Sequence, residues 1–373
     1  MRWLLRQSAA LVAVLSLLTL PASPAGAITG TISTKPVAGT AAVNGPVYAS
    51  AVVGNVLVVG GSFSSVGGQR RVNLAALDAT TGKLLSWRAD TNGTVWALGA
   101  VNGMIAVGGS FSTVAGQARP YVAVITTTGA VRATAWRPSG PVLAVAGYGS
   151  TLYFGGTFAT VNGVSLRNLA SADVTSGALR TTWAPKPDGR VSALRAWNSA
   201  TLLVGGSYSH IGGLARPNLA GVSQAAPGNA LSSYSFATSG CPVLDIAASA
   251  AADRITVGCA GSKNGGNRFQ AFNHAGGAPL WVHRTNGNVQ AMVIVGNMVY
   301  AGGHFSTTDG LDRKHIAAAN LTTGQLSAWH VTMNSAMGVW AEAATSSRLW
   351  VGGEFTLLQG DPVYRLGGFA VTG

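Results

Sequence analysis

Negative charge is scarce in this chain. Eleven Asp and Glu stand against 24 Lys and Arg in 373 residues, and only two of the eleven are glutamates, Glu342 and Glu354. A glycosidase with paired glutamates would have to use those two. Cysteine is nearly absent as well, with Cys241 and Cys259 alone, which excludes a cysteine-rich metal framework. No Gly-x-Ser-x-Gly elbow, Walker loop, dinucleotide fingerprint or zinc-like ligand spacing occurs. Beyond the N-terminus, Gly, Ser, Thr and Asn interrupt every apolar run before the length of a membrane span, about 18 residues.

The N-terminus is the exception. Arg2 and Arg6 precede an apolar run from Ala9 to Leu20, and Ala25-Gly26-Ala27 offers a small-residue cleavage site, so residues 1–27 are expected to be a secretory signal. Residues 28–373 are then expected to form a single exported domain with no transmembrane segment, secreted or held at the cell surface, and monomeric. The net charge of +13, which becomes +11 once Arg2 and Arg6 are removed, would draw such a protein toward anionic polymers. Nucleic acid is not expected as a partner, because no basic cluster is interleaved with aromatics.

What the sequence has in abundance is repetition. The phrase Gly60-Gly61-Ser62-Phe63 returns at Gly108-Gly109, Gly155-Gly156, Gly205-Gly206, Gly302-Gly303 and Gly352-Gly353, each followed by a variable residue and an aromatic, with a degraded copy at Gly258-Cys259. The anchors lie 44 to 53 residues apart, which is the length of one four-stranded propeller blade. In the second repeat, strands are expected at Thr94 to Val101, from Met104 through the Gly pair, at Tyr121 to Thr126 and at Ala130 to Trp136. The closing tryptophan recurs as Trp87, Trp183, Trp281 and Trp329, with Phe236 standing in once. The last repeat ends after three strands, and Gly30 to Val37 stands unassigned at the other end. The expected fold is therefore an all-β, seven-bladed β-propeller of four-stranded antiparallel blades, with the N-terminal strand completing the last blade.

Cys241 and Cys259 flank a hairpin-like stretch turning at Ala251-Ala252-Asp253, so they face each other across two strands. In an exported protein a disulfide is expected there.

The succession of Gly-Gly-x-Phe, Gly, Arg, an Asn-Leu-like strand, Thr-Gly and Trp resembles the delta-60 type β-propeller repeat of exported bacterial proteins, actinobacterial ones in particular. That resemblance spans essentially all of residues 28–373 and implies a seven-bladed propeller, with no general enzymatic role attached. A smaller likeness, to the propeller repeat of quinoprotein dehydrogenases, rests on Ala76-Leu77-Asp78-Ala79-Thr80-Thr81-Gly82-Lys83 and Trp87, and implies architecture without a cofactor.

In such a meander the connections between strands 2 and 3 and between successive blades share one face. Those connections hold fifteen basic and five acidic residues. An arginine near the start of strand 3 recurs as Arg71, Arg119, Arg167, Arg216, Arg268, Arg313 and Arg365. Two readings of it stand side by side: guanidinium groups gripping carboxylates or phosphates of a partner, and arginines capping loop carbonyls or lying on tryptophans. Departures from the repeat cluster in blades six and seven, where His304, Asp309, Asp312, His315 and Glu354 are the candidates for acid–base chemistry or a bound cation. The expected function is a secreted binding module that engages an anionic polymer or a protein partner through the arginine-rich face. The alternative is an extracellular enzyme (lyase, hydrolase or quinone-dependent oxidoreductase) with its site on blades six and seven. No cofactor is expected beyond that cation.

Overall fold

The computed structural model describes residues 31–238, 240–261 and 265–372; the expected signal segment and Lys263 lie outside the described residues. The described residues contain no helix, and so none long and apolar enough to cross a membrane. They form seven larger antiparallel sheets and six two-stranded hairpins.

In chain order, sheet 1 comprises Val47–Val53, Val56–Gly61 and Leu74–Asp78. Sheet 2 comprises Val95–Val101, Met104–Gly109 and Val122–Ile125, and sheet 3 comprises Val142–Tyr148, Thr151–Gly156 and Leu169–Asp173. Sheet 4 has four strands, Arg190–Ala196, Thr201–Ser207, Leu219–Ser223 and Ala230–Ser235. Sheet 5 also has four, Val243–Ser249, Arg254–Cys259, Arg268–Phe272 and Trp281–Arg284. Sheet 6 comprises Val289–Val295, Met298–Gly303 and Ile316–Asn320. Sheet 7 comprises Val339–Ala344, Arg348–Gly353 and Leu366–Thr372, and Thr31–Pro36 adds to its outer edge, pairing Thr31 with Thr372 and Ile32 with Val371.

The Gly-Gly anchors are explained by what they touch. A Cβ on the first glycine would overlap the valine that opens the next sheet: Gly60 against Val95, Gly108 against Val142, Gly155 against Val191, Gly205 against Val243, Gly258 against Val289 and Gly302 against Val339. Gly352 of sheet 7 stands in the same way against Val47 of sheet 1. Only glycine permits sheets to approach so closely. The degraded fifth anchor keeps this contact through Gly258 but loses the aromatic, where Gly261 stands, and the second glycine, replaced by Cys259, which is bonded to Cys241 as the sequence predicts.

The expectation of four strands in every blade is corrected by the structure. Sheets 1, 2, 3 and 6 have three, and their outer segments hold on through single bridges at Leu77↔Leu84, Ile125↔Val131, Ala172↔Leu179 and Ala319↔Leu326. The outer tryptophan packs on the neighbouring sheet whether or not a fourth strand forms, as Trp281 of sheet 5 does with Leu321 O at 3.2 Å. Trp136 Nε1 donates to Gly177 O at 2.8 Å and Trp183 Nε1 to Ser223 O at 2.9 Å, each reaching the next sheet. Sheet 7 takes its outer strand from Thr31–Pro36, which has no tryptophan; there Trp350, from the second strand, fills the role and donates to Ala79 O of sheet 1 at 3.0 Å.

Candidate functional site

Among the described residues, the six hairpins occupy the connection between the second and third strands of every sheet except sheet 5. Each turns on two residues with positive φ, as at Asp309 (50°) followed by Gly310 (79°), the type I′ geometry that favours Gly, Asn and Asp. Bridges such as Thr91↔Val114 and Thr285↔Thr308 tie the segment entering a sheet to that sheet's hairpin, so both connections lie at one end of the sheet. The side-chain oxygen of an entering residue caps two hairpin amides: Asn92 Oδ1 accepts from Ser112 N and Thr113 N, and Asn286 Oδ1 from Ser306 N and Thr307 N. Asn44, Ser139, Asp188 and Asn334 do the same. These caps went unremarked in the sequence, although a residue of the Asn, Asp or Ser type recurs there, usually before a glycine.

The seven arginines do not form one register. Arg71, Arg119, Arg216 and Arg313 are equivalent, each two residues before a residue of positive φ (Asn73, Tyr121, Asn218 and His315). In each, Nη1 donates to the carbonyl of the preceding residue, at 2.9, 2.7, 2.9 and 2.8 Å. Their Nη2 atoms reach the outer segment of the sheet: Leu85 O and Ser86 O, Arg132 O, Ser232 O and Ser327 O. These guanidinium groups replace the ladder bonds that the outer segment lacks. Arg365 itself has φ 65° and donates to Glu354 O and Phe355 O, and Arg268, buried, donates to Gln270 Oε1 and Gly265 O. Arg167 is the exception, exposed and with no side-chain hydrogen bond to a described residue.

The five candidates of the sixth and seventh repeats are divided. His304 and His315 line one cleft of about 550 Å³ between the sheet 6 hairpin and the loop leading into sheet 7, together with Asn286, Phe305, Ser306, Lys314, Met333, Asn334, Ser335 and Ala336. Burial, reinforced by the charges of His304 and Lys314, lowers the His315 pKa, and the exposed Lys314 adds a positive charge to the cleft. The Nδ1 atoms of His304 and His315 are buried without a hydrogen-bond partner. Asp309 is turned away: its carboxylate takes His283 Nδ1 at 2.6 Å and Arg284 N at 2.8 Å. Asp312 is exposed on the hairpin strand, and Glu354 stands at the anchor of sheet 7. Among the described residues no three His, Cys, Asp or Glu side chains converge as a metal site would require.

Comparison with known proteins bears on the architecture. A family model described as a β-propeller domain of unknown function (DUF5122) matches residues 55–80. No match was found among curated protein sequences. Among solved structures, the WD40 β-propeller domain of Doa1 is similar at 11% identity and a TM-score of 0.54, covering 91% of this chain and 97% of that one. Saccharomyces cerevisiae Sqt1 gives 10% identity and 0.54, covering 91% of this chain and all 100% of that one. The computationally designed Ika8 protein gives 16% and 0.52, covering 88% and 98%. The fold is that of a β-propeller. At these identities the likeness concerns fold and carries no function with it.

Proposed function

We propose that this chain is an exported seven-bladed β-propeller, residues 28–373 forming one domain closed by Thr31–Pro36, which serves as a binding module outside the cell. Closure is supported by the contacts between sheets 7 and 1: Gly352 against Val47, Trp350 on Ala79 O, and Arg348 Nε on Thr80 O at 3.0 Å. The partner is an anionic polymer, met by the face that carries the hairpins.

One observation carries this reading. On that face Arg70 and Arg88 share Asp90, whereas Arg137, Arg167, Lys186, Arg190 and Lys314 are exposed and make no ion pair with a described residue. Unneutralised charge flanking the hairpins produces a field that attracts anions and decays within a Debye length, about 8 Å at physiological salt. The equivalent arginines Arg71, Arg119, Arg216 and Arg313 add to that field while their donors hold the blades together. The cleft at Lys314 supplies a concave place for one anionic group.

Cosedimentation with a defined polyanion, long-chain polyphosphate, tests the proposal at about 0.05 M and about 0.5 M salt. Retention at low salt that is lost at high salt is expected, as is a weaker interaction after Arg137→Ala, Arg167→Ala and Lys314→Ala are combined. Retention indifferent to salt or to the triple substitution, or none at low salt, would overturn the reading.

A further inference from the structure

The inner strand of every sheet opens with an irregularity of register immediately after its first valine. In sheets 1, 2 and 7 it falls between Val47 and Ala49, Val95 and Ala97, and Val339 and Ala341, so Tyr48, Trp96 and Trp340 are the bulged residues. A bulge re-aims its side chain. Because the inner strand of sheet 1 packs against those of sheets 2 and 7, the three re-aimed rings meet. Tyr48 stacks on Trp96 with centroids 4.8 Å apart and planes 25° from parallel, and it meets Trp340 edge to face at 5.3 Å and 77°. All three are only half-buried.

Two polar groups at this cluster lack partners. In sheet 2 the indole N–H of Trp96 donates to Ser110 Oγ at 2.7 Å, Ser110 being the variable residue of the Gly-Gly-x-Phe phrase. Sheet 7 has Glu354 at the equivalent position, with Glu354 N bonded to Gly338 O as Ser110 N is to Thr94 O. Yet Trp340 Nε1 is buried without an acceptor. The Glu354 carboxylate makes no ion pair or side-chain hydrogen bond with a described residue, and its charge is felt by Tyr48. A buried N–H left unbonded is costly unless something fills the place.

We propose that Tyr48, Trp96, Trp340 and Glu354 form a site for a small organic cation of the hydroxyalkyl-ammonium class. Ring faces and a carboxylate both attract a cation, and a substituted ammonium is weakly enough hydrated to leave water for them. Its hydroxyl oxygen is the acceptor that Trp340 Nε1 lacks. The site's preference is opposite in sign to that of the hairpin face and does not depend on it. Carbohydrate stacking is the competing occupant, but the lone carboxylate beside electron-rich rings favours positive charge.

Isothermal titration of the mature protein with choline chloride, against a sodium chloride control, is the test. Choline is expected to bind. Its neutral isostere 3,3-dimethyl-1-butanol should bind about 2- to 30-fold more weakly, the span of one cation–π contact. Glu354→Gln should weaken choline and leave the neutral alcohol unchanged. Trp340→Phe, which keeps a ring and removes the N–H, should narrow the advantage of choline over tetramethylammonium, and circular dichroism with thermal melting verifies that each variant is folded. Absence of choline binding, equal binding of the alcohol, or binding of glucose in preference to choline would overturn the proposal.

Discussion

At the scale of single residues, the two carboxylates on inner strands make the clearest claim. Burial raises the pKa of Asp245 to about 6 against the partial relief of the Ile246 and Met292 amides and of Arg195, and burial with the charge of Asp245 raises that of Glu342 well above the usual range. A carboxyl group whose pKa is higher in the folded state binds more protons there than in the unfolded chain. Its contribution is therefore complete below the unfolded value, 3.8 for Asp245 and 4.5 for Glu342, and is lost as pH rises through the folded one. Melting temperature should rise when pH falls from 7.5 to about 5, and Asp245→Asn with Glu342→Gln should flatten that slope. Asp173 works in the opposite sense: bonds from Ser150, Ser176 and Thr175 hold it at about 2, so its contribution, complete above 3.8, is lost only as pH falls toward about 2. A stability profile without a rise toward pH 5 would contradict this account.

The arginines give a second residue-scale contrast. Arg71 is 4% exposed and donates to Arg70 O, Leu85 O and Ser86 O, so Arg71→Ala should cost about 1–3 kcal/mol by removing these charge-assisted bonds to part-buried carbonyls. Arg167→Ala, at an exposed position with no such bonds, should change stability by no more than about 0.5 kcal/mol. Urea unfolding of both variants distinguishes clamp from surface charge. The repeated Arg was legible in the sequence; its division among registers was not, because Leu166 and Val363 take the Arg71 position in sheets 3 and 7 while a nearby arginine preserves the appearance of a repeat. Tertiary equivalence is counted from the aromatic anchor and the start of the third strand, and the eye counts arginines.

At the scale of elements, the strands and turns read well because glycine contacts and I′ turns impose residue types directly on the chain. The missing outer strands read poorly. A segment such as Ala130 to Trp136 has strand-like composition, yet its backbone bonds go partly to Arg119 and its tryptophan to another sheet. The candidate site was legible only as a clustering of polar departures; Asp309 belongs to that cluster in sequence, but a type I′ turn explains its presence and its carboxylate is hydrogen-bonded to His283. Tyr48, Trp96 and Trp340 escaped notice because they are aromatic residues in strands, where aromatics are ordinary, and only the bulges bring them together. Sheet 5 is the element in which the described residues form no hairpin, and it carries the disulfide, which joins residues 18 apart. Replacing Cys241 and Cys259 together by Ser should cost about 3 kcal/mol by the loop-closure estimate, measured as a shift in the urea midpoint.

At the scale of the whole molecule, sheet 7 is assembled from both ends of the chain. Thr31–Pro36 covers the edge of Leu366–Thr372, with Val37 N on Gly368 O at 2.7 Å and Trp329 Nε1 on Ser33 O at 3.4 Å. Deleting residues 1–37 should expose that edge, lower the melting temperature and promote self-association, because an uncovered strand is a template for another chain. Light scattering that shows the same monomer before and after deletion would refute this.

The pairing of Thr31 with Thr372 also makes the starting point of the chain a matter of convention. Two residues 341 positions apart in sequence share a hydrogen bond, so a short tether could join them without bending either strand. The chain could then be reopened at the exposed turn Ala38-Gly39, between Thr31–Pro36 and Val47–Val53, giving a circular permutant in which every sheet is built from contiguous sequence.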